Sequence, residues 1–359
     1  MKIFYDYSIF THQNLGGISK YFINLEKLLK NQNLTKIFAP IHRNLFLKEN
    51  IQKGIFIKRF PKYSGKIIKF YNQLLTNINV RNFNPDIYHK TYYNDFWPSN
   101  LKGKKIITVY DLIHEIYHED YGYDQKYRPK EKCLLESDVI IAISKNTKND
   151  LINYYDIPKN KIYVTHLGVN LNENQTFNKK IVEDPYLLYV GDRKRYKNFS
   201  NLLKAFSLNT NIYKDFKLVV FGGEEFSKSE IEIFKDNKID LNKIFKISGN
   251  DKVLSNLYEY AELFIFPSKY EGFGLPLIEA GIKKCPIACS NIKIFKEIMG
   301  DSVCYFNPDS PEDISKVLEE ILYSNEKKKI LKEKAFIKSK NYSWKKCSEQ
   351  TFKIYKSII

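Results

Sequence analysis

The sequence predicts an α/β protein of two doubly wound domains, each a parallel sheet covered by helices on both faces. Three observations predict it. The chain has 359 residues, the length of two domains of ordinary size. Short apolar runs alternate with helical periods almost throughout, the pattern of βαβ units whose strands are buried on both faces. That alternation breaks once, over Gly168–Pro185, a polar, Asn-rich stretch without an apolar period, and then restarts. Ligands of doubly wound domains sit at the carboxyl ends of the strands, so a cleft between the two halves is the expected site.

The first half opens on the strand K-I-F-Y-D-Y. Asn14–Gly17 is a turn, and Ile18–Lys30 is helical, with Ile18, Tyr21, Phe22, Leu25, Leu28 and Leu29 on one face. Short strands follow at Ile37–Ala39, Ile55–Ile57, Ile87–His89, Ile106–Val109, Val139–Ile143 and Ile162–Val164, and Ser144 caps a helix over Lys145–Tyr155. After the polar stretch the order is strand Tyr186–Val190, helix Asn198–Leu208, strand Lys217–Phe221, helix Ser229–Lys235, strand Ile244–Ile247 and helix Val253–Tyr260. Strand Leu263–Phe266, helix Leu275–Gly281 and strand Pro286–Cys289 complete the second half. Helices Pro311–Ser324, Glu326–Lys340 and Trp344–Ile358 end the chain. The last is too apolar for solvent. Trp344, Cys347, Thr351 and Tyr355 recur every third or fourth residue, so it needs a surface to cover.

Composition excludes several classes. With 43% hydrophobic and 28% charged residues the chain can bury real cores and is not disordered. No run approaches the ~20 apolar residues of a membrane-spanning helix, and Asp6 stands where a signal peptide would be apolar. The expected location is therefore the cytoplasm. Five scattered cysteines without a C-x-x-C pair argue against a cysteine zinc site and a disulfide framework. The charge is +17, and residues 1–105 hold 18 Lys and Arg against 5 Asp and Glu, so 13 of those net charges lie there. Such a field attracts phosphates of nucleic acid, lipid headgroups or a substrate. The stretch K-I-I-K-F-Y-N-Q-L-L-T-N-I favours lipid, because Ile67, Ile68, Tyr71, Leu74, Leu75 and Ile78 fall at helical spacing among Lys66, Lys69 and Asn72. A helix packed on a sheet would show the same pattern. No RNA-recognition or helix-turn-helix motif supports nucleic acid.

The sharpest motif is Phe266-Pro267-Ser268-Lys269-Tyr270-Glu271-Gly272-Phe273-Gly274-Leu275-Pro276-Leu277-Ile278-Glu279-Ala280. It reads as a strand end, a glycine loop and a helix start, an arrangement that offers backbone N–H groups to an anion or to hydroxyls. Glu271 and Glu279 could each grip sugar hydroxyls. A plain βα turn with incidental acids is the bland alternative. The chain also contains a literal H-E-x-x-H, His114-Glu115-Ile116-Tyr117-His118, which on one continuous helix could hold zinc. No third ligand is evident downstream.

The segment F-P-S-x-x-E-G-F-G-L-P-x-x-E-A resembles the signature of family-4 glycosyltransferases, a retaining group with the GT-B fold of two Rossmann-like domains. Asn14–Phe22, Ile141–Leu151, Val164–Val169, Tyr189–Asn198 and Lys217–Gly223 are similar to other blocks of that family, in the same order. The resemblance implies an N-terminal acceptor-side domain over 1–170, a linker over 171–185, a nucleotide-sugar domain over 186–342, and a helix over 343–359 returning to the first domain. It implies that Glu279 binds the ribose, that Glu271 contacts the donor sugar, and that the amides of Phe273, Gly274 and Leu275 lie near sugar hydroxyls or phosphate. Arg193 and Lys197 would clamp the diphosphate, with Arg195 as the competitor to Arg193. Gly16 and Gly17 would face the diphosphate, and loops around Gly249 would read the donor.

One position departs from the family. Tyr110 stands where a His is often found, with Asp111 and His114 near enough to assist in catalysis, and His89 is assigned to the acceptor side with Tyr110 and His114. The chain has no D-x-D pair, so no metal and no cofactor are expected, with Arg and Lys supplying the positive charge. The resemblance implies transfer of a hexose from a nucleotide-diphosphate sugar such as GDP-mannose to a lipid-linked surface glycan, with peripheral attachment to the inner face of the membrane. The alternative is a non-enzymatic binder of nucleic acid or anionic membrane on the same fold.

Overall fold

The structure, a computed structural model, describes every residue of the chain except 122–127, 172–176, 178 and 194. The chain divides into two compact units. The first holds Met1–His114, Tyr121–Gly168 and Trp344–Ile359, and the second holds Glu115–Asp120 and Val169–Ser343. Of the linker expected over 171–185, residues 172–176 and 178 lie outside the described residues.

In the first unit the strands are β1 (Lys2–Tyr5), β2 (Leu34–Ile37), β3 (Ile41–His42), β4 (Ile55–Phe56), β5 (Ile87–Lys90), β6 (Lys104–Val109), β7 (Val139–Ala142) and β8 (Ile162–Val164). A six-stranded sheet runs in the order β2-β1-β5-β6-β7-β8, and every pairing in it is parallel. The run at Ile55 is a strand, as its sequence predicts, but it pairs only with β3 in a separate two-stranded ladder. β5, β7 and the last four residues of β6 are buried, and apolar side chains of β6 and β7 fill a core with Leu112, Leu134 and Leu151 from the crossover segments.

The second unit contains β9 (Tyr186–Val190), β10 (Lys217–Phe221), β11 (Ile244–Ile247), β12 (Leu263–Phe266), β13 (Ile287–Ser290) and β14 (Cys304–Phe306). Its sheet is parallel in the order β11-β10-β9-β12-β13-β14. Numbered within the unit, that is the 3-2-1-4-5-6 order of a doubly wound domain, with its switch point between β9 and β12. Sequence analysis misses β14 and the helix Lys293–Met299 before it.

The last helix, Trp344–Ser357, belongs to the first unit and packs on helix Gly17–Leu29. Its buried side is Trp344, Cys347, Ser348, Thr351, Ile354 and Tyr355, the stripe that the apolar spacing marks. Trp344 lies 6.3 Å from the Tyr21 ring, and the Tyr355 hydroxyl lies 2.5 Å from His89 Nδ1. That contact corrects the acceptor-side assignment of His89. The ring is fully buried, and its second nitrogen lies 2.9 Å from Thr108 Oγ1. His89 is thus a core histidine that fastens the returning helix to β5 and β6.

Burial lowers the His89 pKa from 6.5 to about 3. The unfolded chain therefore takes up a proton below about pH 6.5 that the folded chain refuses. Stability from this residue is full above pH 6.5 and is lost progressively as pH falls toward 3. Between pH 7 and 5 the loss is about 2 kcal/mol. Urea denaturation of the wild type should show this decline, and His89→Gln, less stable at pH 7, should show a shallower one. Equal slopes in the two proteins would show that His89 is not buried neutral.

Candidate active site

The two loops that leave the switch point of the second sheet carry the site. After β9 the chain turns through Gly191, whose φ of 136° suits glycine. A single turn of tighter helix, Arg195–Lys197, follows, and then Asn198 at a left-handed φ of 59°. Asn198 is held by its side-chain amide, which donates to the Pro308 carbonyl at 2.6 Å. After β12 the loop Pro267–Phe273 ends at Gly274, φ 100°, which starts helix Leu275–Ile282 with Pro276 in its first turn. A Cβ at Gly274 would press on Leu277 and Phe295 at 3.2 Å. The two loops are tied together by the Lys269 N–H, which donates to the Tyr196 carbonyl at 2.7 Å.

This tie brings two of the sequence-predicted residues together. Lys197 Nζ donates to Glu271 Oε1 at 2.6 Å, and both side chains are about seven-eighths buried, at 15% and 12% exposure. A cation and a carboxylate thus meet at the carboxyl ends of adjacent strands, where a bound anion and a hydroxyl-bearing group could each find a partner. Beside them Ser268 is fully buried, and its hydroxyl has no hydrogen-bond partner among the described residues. Sequence reasoning named Ser268 only as part of the motif, because a serine at a strand end is ordinary turn chemistry. Tyr117, Tyr196 and Tyr270 cluster in the same unit, with ring centroids 5.7 and 6.4 Å from Tyr117.

Arg193 corrects the expectation. Its side chain is 6% exposed and paired through Nε with Glu230. Nη2 donates to the Glu224 and Glu225 carbonyls at 2.7 and 3.1 Å, and Nη1 to the Gly222 carbonyl at 3.4 Å. The guanidinium lies 4.7 Å from the Phe226 ring centre. Gly222 and Gly223 both have positive φ, and a Cβ on Gly223 would come within 2.7 Å of Nη1. Burial raises the Glu230 carboxyl, but hydrogen bonds from Arg193 and Ser227 outweigh it and leave the group below its ordinary range. Arg193 therefore staples the loop after β10 and the capping box of helix Lys228–Asp236. It is not poised as a clamp, and Arg195, exposed on the same turn as Lys197, takes its place in the candidate set.

The remaining second-unit residues fall as follows. Phe273 is buried against Tyr342, ring centres 5.8 Å apart, and Leu275 opens the helix. Glu279 is half-buried in the second turn of that helix. Gly249 follows β11, where a Cβ would strike Val253 at 2.8 Å. The next residue, Asn250, caps helix Asp251–Tyr260.

In the first unit Gly16 and Gly17 begin helix Gly17–Leu29. The Gln13 carboxamide accepts from the Ser19 N–H at 3.3 Å, and a Cβ on Gly16 would sit 2.5 Å from that same oxygen. Tyr110 is buried, and its hydroxyl has no partner among the described residues. Asp111, named as catalytic, serves as a cap: Oδ1 accepts from the Ile113 N–H at 3.1 Å and its carbonyl accepts from Lys130 Nζ at 2.7 Å. His114 is half-buried in helix Ile113–Ile116. That helix ends before His118, which starts the next one, so the H-E-x-x-H is not on one helix. Among the described residues no group of three His, Cys, Asp or Glu is placed to hold a metal.

Comparison with known proteins agrees with this architecture. The model for Glycosyltransferase Family 4 matches residues 15–173, and that for Glycosyl transferases group 1 matches residues 171–338. The chain is 26% identical over 296 residues to O-antigen chain mannosyltransferase B of Escherichia coli, covering 78% of this chain and 76% of that protein. It is 29% identical over 235 residues to the serotype-specific mannosyltransferase WbdA of Escherichia coli, covering 59% of this chain but only 28% of that protein. The solved structure of Anabaena HepE in complex with UDP and glucose superposes with a TM-score of 0.78, covering 99% of each chain at 13% identity. With its two parallel doubly wound units in the GT-B fold, the chain belongs to the family-4, or group 1, glycosyltransferases.

Proposed function

We propose that the protein transfers a hexose from a nucleoside-diphosphate sugar to a glycan acceptor, with retention at the anomeric carbon and without a metal. The observation that carries this is the Lys197–Glu271 pair at the switch point of the second sheet. When a glycosidic bond to a nucleoside diphosphate breaks, negative charge grows on the leaving phosphate. A fixed ammonium beside it lowers the barrier, and Arg195 on the same turn adds to that field. Glu271 then exchanges Lys197 for a sugar hydroxyl as donor, and Glu279 accepts from the ribose. The similarity to O-antigen mannosyltransferases favours mannose as the sugar and a surface polysaccharide as the acceptor; GDP-mannose is the donor we would test first, and a lipid-linked precursor the acceptor. Tyr110 would offer its hydroxyl on the acceptor side.

A thermal-shift panel of nucleoside diphosphates tests the reading most directly, because a ligand that binds only the folded chain raises its apparent stability. GDP or UDP should raise the midpoint, and a flat panel would overturn the proposal.

Arg193 and Lys197 should separate by kind of damage. Arg193→Met removes the cation from the half-buried Glu230 carboxylate, leaving it only the Ser227 bonds of the capping box, and frees three carbonyls, so it should cost about 1–3 kcal/mol of stability in denaturation. Lys197→Met also leaves a buried carboxylate, Glu271, without its ammonium and should cost stability, but its turnover should collapse far beyond what that loss of folded protein explains. An equally stable Arg193→Met protein would show that the staple is not needed.

Glu279→Ala should weaken nucleotide binding by about 1.5–3 kcal/mol in calorimetry, since charge-assisted bonds to the ribose are lost. Glu271→Gln should lower turnover more than nucleotide affinity. Transfer should continue in excess chelator, and activity abolished by EDTA and restored by a divalent ion would remove the metal-free part of the reading.

A further inference from the structure

Helix Gly65–Phe83 is packed inside out. The residues it buries are Ile68, Asn72, Thr76 and Val80, a stripe at every fourth position with two polar members. The apolar residues it exposes are Ile67, Phe70, Tyr71, Leu74, Leu75 and Ile78, each 38–60% accessible. These fall at spacings of three and four and form one continuous apolar face on the outer side. An ordinary surface helix has the opposite arrangement, and contiguous exposed apolar patches on soluble proteins mark interaction sites.

The orientation is locked by hydrogen bonds. The fully buried Asn72 accepts from the Ile41 N–H at 2.8 Å through Oδ1. Its Nδ2 donates to the Ile41 carbonyl at 3.0 Å and to Thr11 Oγ1 at 3.3 Å. Rolling the helix to hide its apolar face would leave this carboxamide and the Ile41 N–H unsatisfied, and the Ile41 carbonyl with only the Thr11 hydroxyl at 3.4 Å. Val80 adds a packed end against Phe4 and Tyr88.

The charge around this face selects what covers it. From Asn50 to Pro85 the sequence has no Asp or Glu and seven cations: Lys53, Lys58, Arg59, Lys62, Lys66, Lys69 and Arg81. Lys53 pairs with Glu26 and Lys69 with Asp95. Lys58, Arg59, Lys62, Lys66 and Arg81 are exposed, as is the Tyr63 ring. A second copy of the chain docked on the same face would bring two such segments together and be repelled.

We propose that this helix is a docking surface for an anionic bilayer, lying in the headgroup region with Ile67, Phe70, Leu74 and Ile78 immersed and the flanking lysines on lipid phosphates. The proposal deepens the membrane-side acceptor reading above by naming the surface and the lipid class, and its chemistry is independent of the donor site. Gly65, Ile68 and Lys69 also line a cavity of about 410 Å³ shared with His12, Arg43 and Tyr93.

Sedimentation of the full chain with sucrose-loaded vesicles tests it without donor or acceptor. Vesicles of phosphatidylcholine with about a third phosphatidylglycerol should bind the protein at least about tenfold more tightly than phosphatidylcholine alone, and this preference should fade at about 0.5 M salt. Phe70→Ser/Leu74→Ser should weaken binding by about tenfold or more, and Lys62→Gln/Lys66→Gln by about tenfold with a smaller salt effect. Both pairs are exposed, so the thermal midpoint should hold. A wild type that stays in the supernatant with anionic vesicles at low salt overturns the proposal. Variants that sediment like wild type overturn it too. So does a dimer in light scattering that Phe70→Ser/Leu74→Ser dissolves while vesicles go unbound, which would make the face a contact between copies. A nucleotide panel on the same preparation reports the donor site separately, so failure of one reading leaves the other standing.

Discussion

Parallel pairing is the constraint on which the rest of this structure depends. Every ladder among the described residues is parallel, so in each sheet all strands end along one edge and each connection must cross back over a face. Crossovers then cover both faces and demand strands that are apolar on both sides, which is what Tyr186–Val190 and Leu263–Phe266 supply. In the second unit β9 lies between β10 and β12, and the chain leaves β9 and β12 in opposite directions. The loops part at that point and leave a place that no crossover covers. Lys197 and Glu271 meet there because each lies a few residues beyond its strand end, and the Lys269–Tyr196 backbone bond fixes the distance between the loops.

Arg193 and Lys197 stand four residues apart in one loop and do opposite work. A guanidinium offers five donors in a rigid plane and can be surrounded by carbonyls as well as a carboxylate. The turn at Gly222–Glu225 supplies the carbonyls, Glu230 the countercharge and Phe226 the stacking face. Lys197 has a compact ammonium on a flexible stem, and it rests on a carboxylate that a ligand can share. The chemistry of the two side chains explains why the arginine is enclosed by backbone carbonyls and the lysine has a carboxylate as its partner.

The fold was legible where period and length agreed. The runs at Tyr186, Lys217, Ile244 and Leu263 are strands at their read bounds, and the apolar stripe of the last helix is the stripe it buries. Legibility failed where the deciding partner is distant in sequence. His89 looks like a polar residue at a strand end, and only Tyr355, 266 positions away, makes it a core anchor. Asp111 carries a local task that no period marks, accepting from the Ile113 N–H. Arg193 and Arg195 cannot be ranked by sequence, since both are basic residues of one turn and the difference lies in the Glu230 capping box of a later helix. The motif around Glu271 was readable because its glycines, strand end and helix start are local. Helix Gly65–Phe83 was half legible. Its spacing showed an amphipathic helix, but which face is buried is decided by Asn72 and Ile41, and no period encodes that choice.

The distribution of charge separates two explanations of the basic composition. A general excess of lysine would raise the positive balance evenly along the chain. Residues 106–359 instead hold 40 Lys and Arg against 36 Asp and Glu, nearly neutral despite many lysines. In the second unit the cations meet acids: Lys246 with Glu225, Lys269 with Asp309, Lys284 with Glu333, Lys327 with Glu320, Lys328 with Glu262 and Lys334 with Asp301. Such exposed pairs add little stability each, but they cancel the far field. Over residues 50–85 the acids are missing altogether while the lysines remain. The asymmetry therefore arises from withheld carboxylates, not from added lysines. It coincides with a long helix that turns its apolar face outward. Two independent departures from an ordinary protein surface, one in polarity and one in charge, fall on the same segment, and an anionic interface with an apolar interior is the environment that satisfies both.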